Sequence, residues 1–374
     1  MKLFLLSLCM STVVVAQTKV NVKSNYALKD FVKISPVLNS AYHTPELVQD
    51  SVEVKDNLFS FKISKGEDSF YYPYKFAKPI GSSSFVMSSE IFLNPQNQNL
   101  VIDPKFQVSY KNETAGIGKD LKRFQNFVMY WEAAKDAAHA DLLKKIDLES
   151  DGDKKKVLQN DYFRIDKDFE VEKLKTIKDY VELYPQSVIG FWQLVLNFEY
   201  NGYRPIIDDI ATLFDASIKK ENAYKVFLSR LKSSKVLAIG QTFPQSVKLK
   251  DVNGKVTQMI FPKNKYTLVD FWFSHCAPCI EEMPKHIALY NKYREKGYGI
   301  VGIAVDLKAA QGNLVKTVNK LGMPWTNYWD ENRIQAEKWM VTSYPTTYLL
   351  DSQGKIVAKN LSKEDLEKFL IDNL

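Results

Sequence analysis

The chain has 374 residues, 45% hydrophobic and 25% charged, an ordinary globular balance that excludes wholesale disorder, a collagen-like repeat and a coiled-coil rod and leaves room for two or three domains. Lysine and arginine outnumber aspartate and glutamate by 51 to 44, but the charges alternate along the chain and no binding motif accompanies them, so nucleic acid is not an expected partner. Three cysteines are too few for a disulfide-stapled scaffold, yet two of them, Cys276 and Cys279, lie three positions apart.

Residues 1–16 begin Met1-Lys2, continue as an apolar run from Leu3 to Val15 broken by Ser7, Ser11 and Thr12, and end on Val14-Val15-Ala16 before Gln17. A short charged start, an apolar core too short to span a bilayer and small residues at the −3 and −1 positions predict a signal peptide cleaved after Ala16. An uncleaved N-terminal anchor is the alternative. Cleavage would remove Cys9 and leave an exported, periplasmic or similarly placed chain, with no membrane span and one close cysteine pair. A pair kept alone in an oxidising compartment is chemical rather than structural.

Residues 17–111 carry short alternating runs, Val52-Glu53-Val54-Lys55 and Leu58-Phe59-Ser60-Phe61 among them, separated by turn residues such as Asp56-Asn57. This pattern predicts an antiparallel, sandwich-like β domain, with Tyr71, Tyr72 and Tyr74 on a half-buried strand face rather than in a binding patch. From 112 to 235 the period becomes helical, with Phe124, Phe127, Val128 and Trp131 opening several antiparallel helices broken at Tyr184-Pro185 and Asn201-Gly202. Asp147, Glu149, Asp151 and Gly152 imitate the opening of a calcium loop, but Leu158 replaces the closing carboxylate and Lys154-Lys155-Lys156 would repel the ion.

From 236 to 374 strands and helices alternate. The runs 247–256 (a hairpin turning at Asn253-Gly254), 266–273, 299–305, 346–350 and 356–358 read as strands, and 361–374 as a closing amphipathic helix, which together specify an α/β sheet covered by helices.

The chemistry centres on Asp270-Phe271-Trp272-Phe273-Ser274-His275-Cys276-Ala277-Pro278-Cys279. A buried strand ends near Phe273, and Pro278 suits the first turn of the following helix. Unpaired amides and the positive end of the helix dipole then face Cys276 and favour its thiolate, making it the nucleophile. Cys279, one turn further in, can resolve a mixed disulfide from inside. His275 would assist if protonated and do little if neutral. The same sulfurs with His275 or Met283 could instead hold copper(I). His286, seven residues beyond Cys279, is too far along a helix to share a metal ion with it and is expected at the surface.

This segment resembles thioredoxin and, more closely, the exported TlpA/ResA-like thiol-disulfide oxidoreductases, relatives of the AhpC/TSA group. The resemblance covers about the last 135 residues and rests on Gly240-Gln241-Thr242-Phe243-Pro244, Phe271-Trp272, Cys276-Ala277-Pro278-Cys279, Glu282-Met283-Pro284 and Ser343-Tyr344-Pro345-Thr346-Thr347. It implies a thioredoxin-like C-terminal domain and a redox-active Cys276–Cys279 disulfide with no bound cofactor or metal. It also implies that Asp270 is a buried acid exchanging a proton with Cys279. Trp272, His275, Pro278, Tyr344 and Pro345 become active-site neighbours, with Tyr344-Pro345 in the place of the family's cis-proline beside the disulfide, where it would crowd a metal. Thioredoxin's lysine partner for the acid is absent from Gly302-Ile303-Ala304. The Ala-Pro dipeptide tilts the chain towards reducing exported client proteins, with electrons from a membrane thiol carrier; an oxidase or isomerase is the alternative. The peroxiredoxin element Pro-x-x-x-Thr-x-x-Cys is absent. The front segments resemble, more weakly, the accessory region of multidomain homologues.

Overall fold

The computed structural model describes residues 17–25, 31–38, 41–42, 51–64, 70–80, 84–94, 96 and 98–374; the expected signal peptide at 1–16, with Cys9, lies outside the described residues. The chain divides into two compact units that meet in sequence at Phe227 and Leu228.

In the first unit the alternating runs form β1 (Gln17–Ser24), β2 (Phe31–Pro36), β3 (Ser51–Glu53), β4 (Leu58–Ser64), β5 (Tyr72–Ile80), β6 (Ser84–Met87), β7 (Ile91–Leu93), β8 (Gln98–Ile102) and β9 (Val108–Tyr110). One sheet runs β4-β1-β8-β9, the other β3-β2-β5-β6 with β7 also on β5. Phe76 of β5 meets Phe59 and Phe61 of β4 edge-on at 5.4 and 5.6 Å, which closes the two sheets into a sandwich. Tyr72 and Tyr74 are buried in this core. The expected all-antiparallel pairing needs one correction: β1 and β8 are parallel. These strands are far apart in sequence, so no hairpin forces them antiparallel. Where a tight turn does connect, at Asp56-Asn57, both residues take positive φ and Lys55 and Leu58 exchange backbone hydrogen bonds, the geometry of a two-residue hairpin turn.

The helical period gives α1 (Gly116–Leu148), α2 (Gly152–Leu183), α3 (Val188–Asn201), α4 (Ile206–Leu213), α5 (Ala216–Lys219) and α6 (Asn222–Ser234), the last crossing the unit boundary. The calcium-like run is the α1–α2 connection. Asp151 caps α2 by accepting the N–H groups of Asp153 and Lys154, each at 3.0 Å. Among the described residues no helix is long and apolar enough to cross a membrane.

The second unit comprises β10 (Lys248–Asp251), β11 (Val256–Gln258), β12 (Tyr266–Trp272), α7 (Ala277–Tyr293), β13 (Tyr298–Ala304), α8 (Gln311–Leu321), β14 (Asn327–Trp329), α9 (Ile334–Lys338), β15 (Thr346–Asp351), β16 (Ile356–Lys359) and α10 (Lys363–Asn373). Its seven-stranded sheet runs β11-β10-β14-β13-β12-β15-β16, parallel at β12–β13 and β13–β14 and antiparallel elsewhere. The sheet is buried on both faces, which is why β12 and β13 read as continuous apolar runs. On one face Leu268, Trp272, Ile300 and Leu349 pack with Met283 and Leu289 of α7 and Leu366 and Leu370 of α10. On the other, Val269, Phe271, Val301 and Ile303 pack with Phe243, Trp339 and Tyr348. The thioredoxin-like expectation is met, and the central strand β12 delivers the cysteines at its end.

Candidate active site

Cys276 is the N-cap of α7, and Pro278 sits in the first turn, where a missing N–H costs no helical hydrogen bond. The two cysteines form a disulfide with their Cα atoms 5.2 Å apart. Sγ of Cys276 accepts the amide N–H of Cys279 at 3.2 Å, so the helix terminus presents a donor to that sulfur. In this oxidised form both residues are well covered, Cys276 4% and Cys279 1% exposed, while His275, Ala277 and Pro278 stand at the surface around them. The Tyr344–Pro345 bond is cis. Thr346 pairs with Phe271, which brings this bond to the cysteine end of β12; Tyr344 and Phe273 meet edge-on at 5.7 Å and pack on the cluster that contains both sulfurs.

Trp272, grouped with the active-site neighbours in the sequence reading, is fully buried and donates Nε1–H to Asn327 Oδ1 at 3.2 Å. It belongs to the core beneath the disulfide and offers no surface to a client. Met283 is likewise buried. His275 does not turn a free nitrogen to the sulfurs: Nδ1 lies 3.1 Å from Ser274 Oγ and Nε2 lies 2.9 Å from Asn313 Nδ2.

Asp270 lies on the β12 face that packs against α7 and α10, and it is 2% exposed with Oδ1 lacking a hydrogen-bond partner. Burial, reinforced by the charge of Glu282, pushes its carboxyl up to about 7, with Lys363 opposing the shift. Lys363 rises from the first turn of α10 and places Nζ 3.6 Å from Glu282 Oε1. A lysine could not come from the adjacent strand. Gly302 pairs with Asp270, and a Cβ at 302 would stand 2.0 Å from Asn327 Oδ1. The cation nearest in role to thioredoxin's lysine therefore arrives from the C-terminal helix.

His286 corrects the surface expectation, since it is only 4% exposed. The reason is helical phase. Cys279, Met283 and His286 stand at i, i+4 and i+7, so the histidine shares the inward stripe of α7. That spacing was legible in the sequence. Its Nε2 is 4.0 Å from Glu282 Oε2, its Nδ1 has no partner, and burial together with Lys363 holds its pKa down to about 4, leaving the ring neutral near pH 7. The buried Tyr298 hydroxyl, also without a partner, is held above its ordinary range by burial and by Asp270. Sequence reasoning missed Lys363 and Tyr298 as parts of this environment, because they reach it from α10 and β13.

The AhpC/TSA family matches residues 239–359. The thiol-disulfide oxidoreductase ResA of Bacillus thuringiensis is 33% identical over 137 residues, covering 36% of this chain and 78% of the relative. ResA of Bacillus subtilis is 28% identical over 135 residues, covering 36% and 73%. Among solved structures, the thioredoxin domain of a thiol-disulfide oxidoreductase from Bacteroides vulgatus shares 30% identity with a TM-score of 0.32, covering 36% of this chain and 99% of that one. A thiol:disulfide interchange protein from Bacteroides sp. shares 29% identity with a TM-score of 0.33, covering 36% and 90%.

Proposed function

Since the chain belongs to the ResA-type thiol-disulfide oxidoreductases with an AhpC/TSA, thioredoxin-like domain, we propose that it works outside the cytoplasm as a reductase of disulfides in exported client proteins. The Cys276 thiolate attacks a client disulfide, forming a mixed disulfide and expelling one client sulfur as a thiolate that takes up a proton. Cys279, deprotonated with Asp270 accepting the proton, then attacks Sγ of Cys276; the Cys276–client bond breaks, the second client sulfur leaves with its electron pair and takes up a proton, and Asp270 gives up the one it held. The client gains two electrons and two protons, and this chain is left as the Cys276–Cys279 disulfide. No bound cofactor or metal takes part, and a membrane thiol carrier restores the dithiol.

The observation that carries this reading is the pairing of a helix-capping sulfur, donated to by the Cys279 amide, with a buried acid on β12, on the sheet face whose core also holds both sulfurs. The reducing direction is supported by the Ala-Pro dipeptide, closer to thioredoxin's Gly-Pro (about −270 mV) than to the Pro-His of DsbA (about −120 mV). The test is trapping. In Cys279→Ala the mixed disulfide on Cys276 should persist, and mass spectrometry should identify exported proteins held through it. An empty trap in the native compartment overturns the client reading, and a measured potential near that of DsbA overturns the direction.

A further inference from the structure

The exchange chemistry leaves unused a second chain of hydrogen bonds beside the sulfurs. Asp306, two residues beyond β13, is 3% exposed, and its two carboxylate oxygens accept the Ser274 amide N–H at 3.0 and 3.1 Å. It also accepts the Ser274 hydroxyl at 2.5 Å. A hydroxyl that donates to a carboxylate can only accept from its other neighbour, here His275 Nδ1 at 3.1 Å. Nδ1 therefore carries the hydrogen, and Nε2 accepts from the Asn313 side-chain amide at 2.9 Å. The exposed ring of the residue preceding Cys276 is thus pinned at both nitrogens, with a buried carboxylate oxygen 4.0 Å from Nδ1.

We propose that Asp306, acting through Ser274 and His275, is a positioning residue that sets the acidity of the Cys276 thiol. The inference rests on the dithiol reading above. When the ring takes a second proton at Nε2, rotation of the Asn313 amide lets its oxygen accept the new N–H, and Asp306 supplies the opposite charge. Of the groups contacting the ring, Asp306 brings the charge, whereas Ser274 and Asn313 of α8 are neutral. An imidazolium on the residue preceding Cys276 adds to the α7 terminus in favouring thiolate over thiol, and stabilising the reduced pair makes it a stronger oxidant than its dipeptide alone would be.

The test compares the full chain with Asp306→Asn, which keeps an acceptor for Ser274 but loses the charge, and with His275→Gln, which keeps hydrogen bonding without a titrating ring. Ser274→Ala breaks the relay while leaving Asp306 in place, should Asp306→Asn fold poorly. Alkylation of the reduced proteins by iodoacetamide is followed against pH, and the exchange equilibrium with glutathione is measured. The expected result is that all three variants lose the low-pH portion of Cys276 reactivity and move the equilibrium about tenfold towards the disulfide form, about 30 mV more reducing. Asp306→Asn combined with His275→Gln should move it no further than either alone. Unshifted profiles in folded variants, or fully additive shifts, overturn the proposal. The Cys279→Ala trap separates the two failures: clients captured with unshifted variants sink the relay and spare the reductase, whereas an empty trap sinks the reductase reading itself.

Discussion

Two buried titratable side chains, Asp270 on β12 and His286 on α7, pull the stability of the protein in opposite directions as pH changes. Asp270 is held up to about 7, against about 3.9 in an unfolded chain. Between those values the folded protein keeps a proton the unfolded chain has lost, so stability falls as pH rises, by up to about 4 kcal/mol at about 1.4 kcal/mol per pH unit. His286 is held down to about 4, against about 6.5 unfolded. There the unfolded chain carries the extra proton, so stability rises with pH across that window, by up to about 3 kcal/mol. From about pH 4 to about pH 6.5 the two slopes offset each other. Urea denaturation of the disulfide form should accordingly give a nearly flat profile there for the natural chain, a rising one for Asp270→Asn and a falling one for His286→Gln. Parallel profiles for all three would refute the assignment. Asp270→Asn should also slow turnover with insulin as substrate while raising Tm above neutral pH, since it removes a costly buried charge together with a proton acceptor.

Among the elements, the joint between α1, α2 and α3 concentrates on one carboxylate. Asp120 accepts the Ser187 hydroxyl at 2.8 and 2.9 Å, the Ile189 amide at 3.0 Å, the Tyr180 hydroxyl at 2.9 Å and an Arg123 N–H at 2.7 Å. Removing it leaves a partly buried guanidinium and two hydroxyls without their acceptor, so Asp120→Ala should cost about 3 kcal/mol or more in urea denaturation. The exposed cap of α2 offers a contrast. Asp151→Ala should cost about 1 kcal/mol, because water can replace the lost acceptor. Equal losses at the two sites would contradict this account of the joint. Element legibility followed the same logic of burial. β12 and β13 match their apolar runs to within a residue or two, because both faces of each strand are covered. The strand β14 has three residues and leaves no period to read. Leu314, Val318 and Leu321 do recur at helical spacing and mark α8 in the sequence as well.

For the whole molecule, the family match occupies only residues 239–359, and the second unit encloses its own two-faced core between Leu237 and Leu370. Residues 236–374 produced alone should therefore unfold cooperatively and retain exchange with small dithiols. Loss of cooperative unfolding in that fragment would show that the core is not self-sufficient. The Cys276–Cys279 motif, the order of strands and helices around it, and the burial of Asp270 could be read from the chain because each depends on neighbours within a few residues, on the helix start at Pro278 or on the run from Tyr266 to Phe273. The charges that act on Asp270 and the hold of Asp306 and Asn313 on His275 were decided only by tertiary structure. Coulomb energies and desolvation depend on distance in space, and Lys363, Glu282 and Asp270 come within range of one another only once α7 and α10 pack on the same face of the sheet.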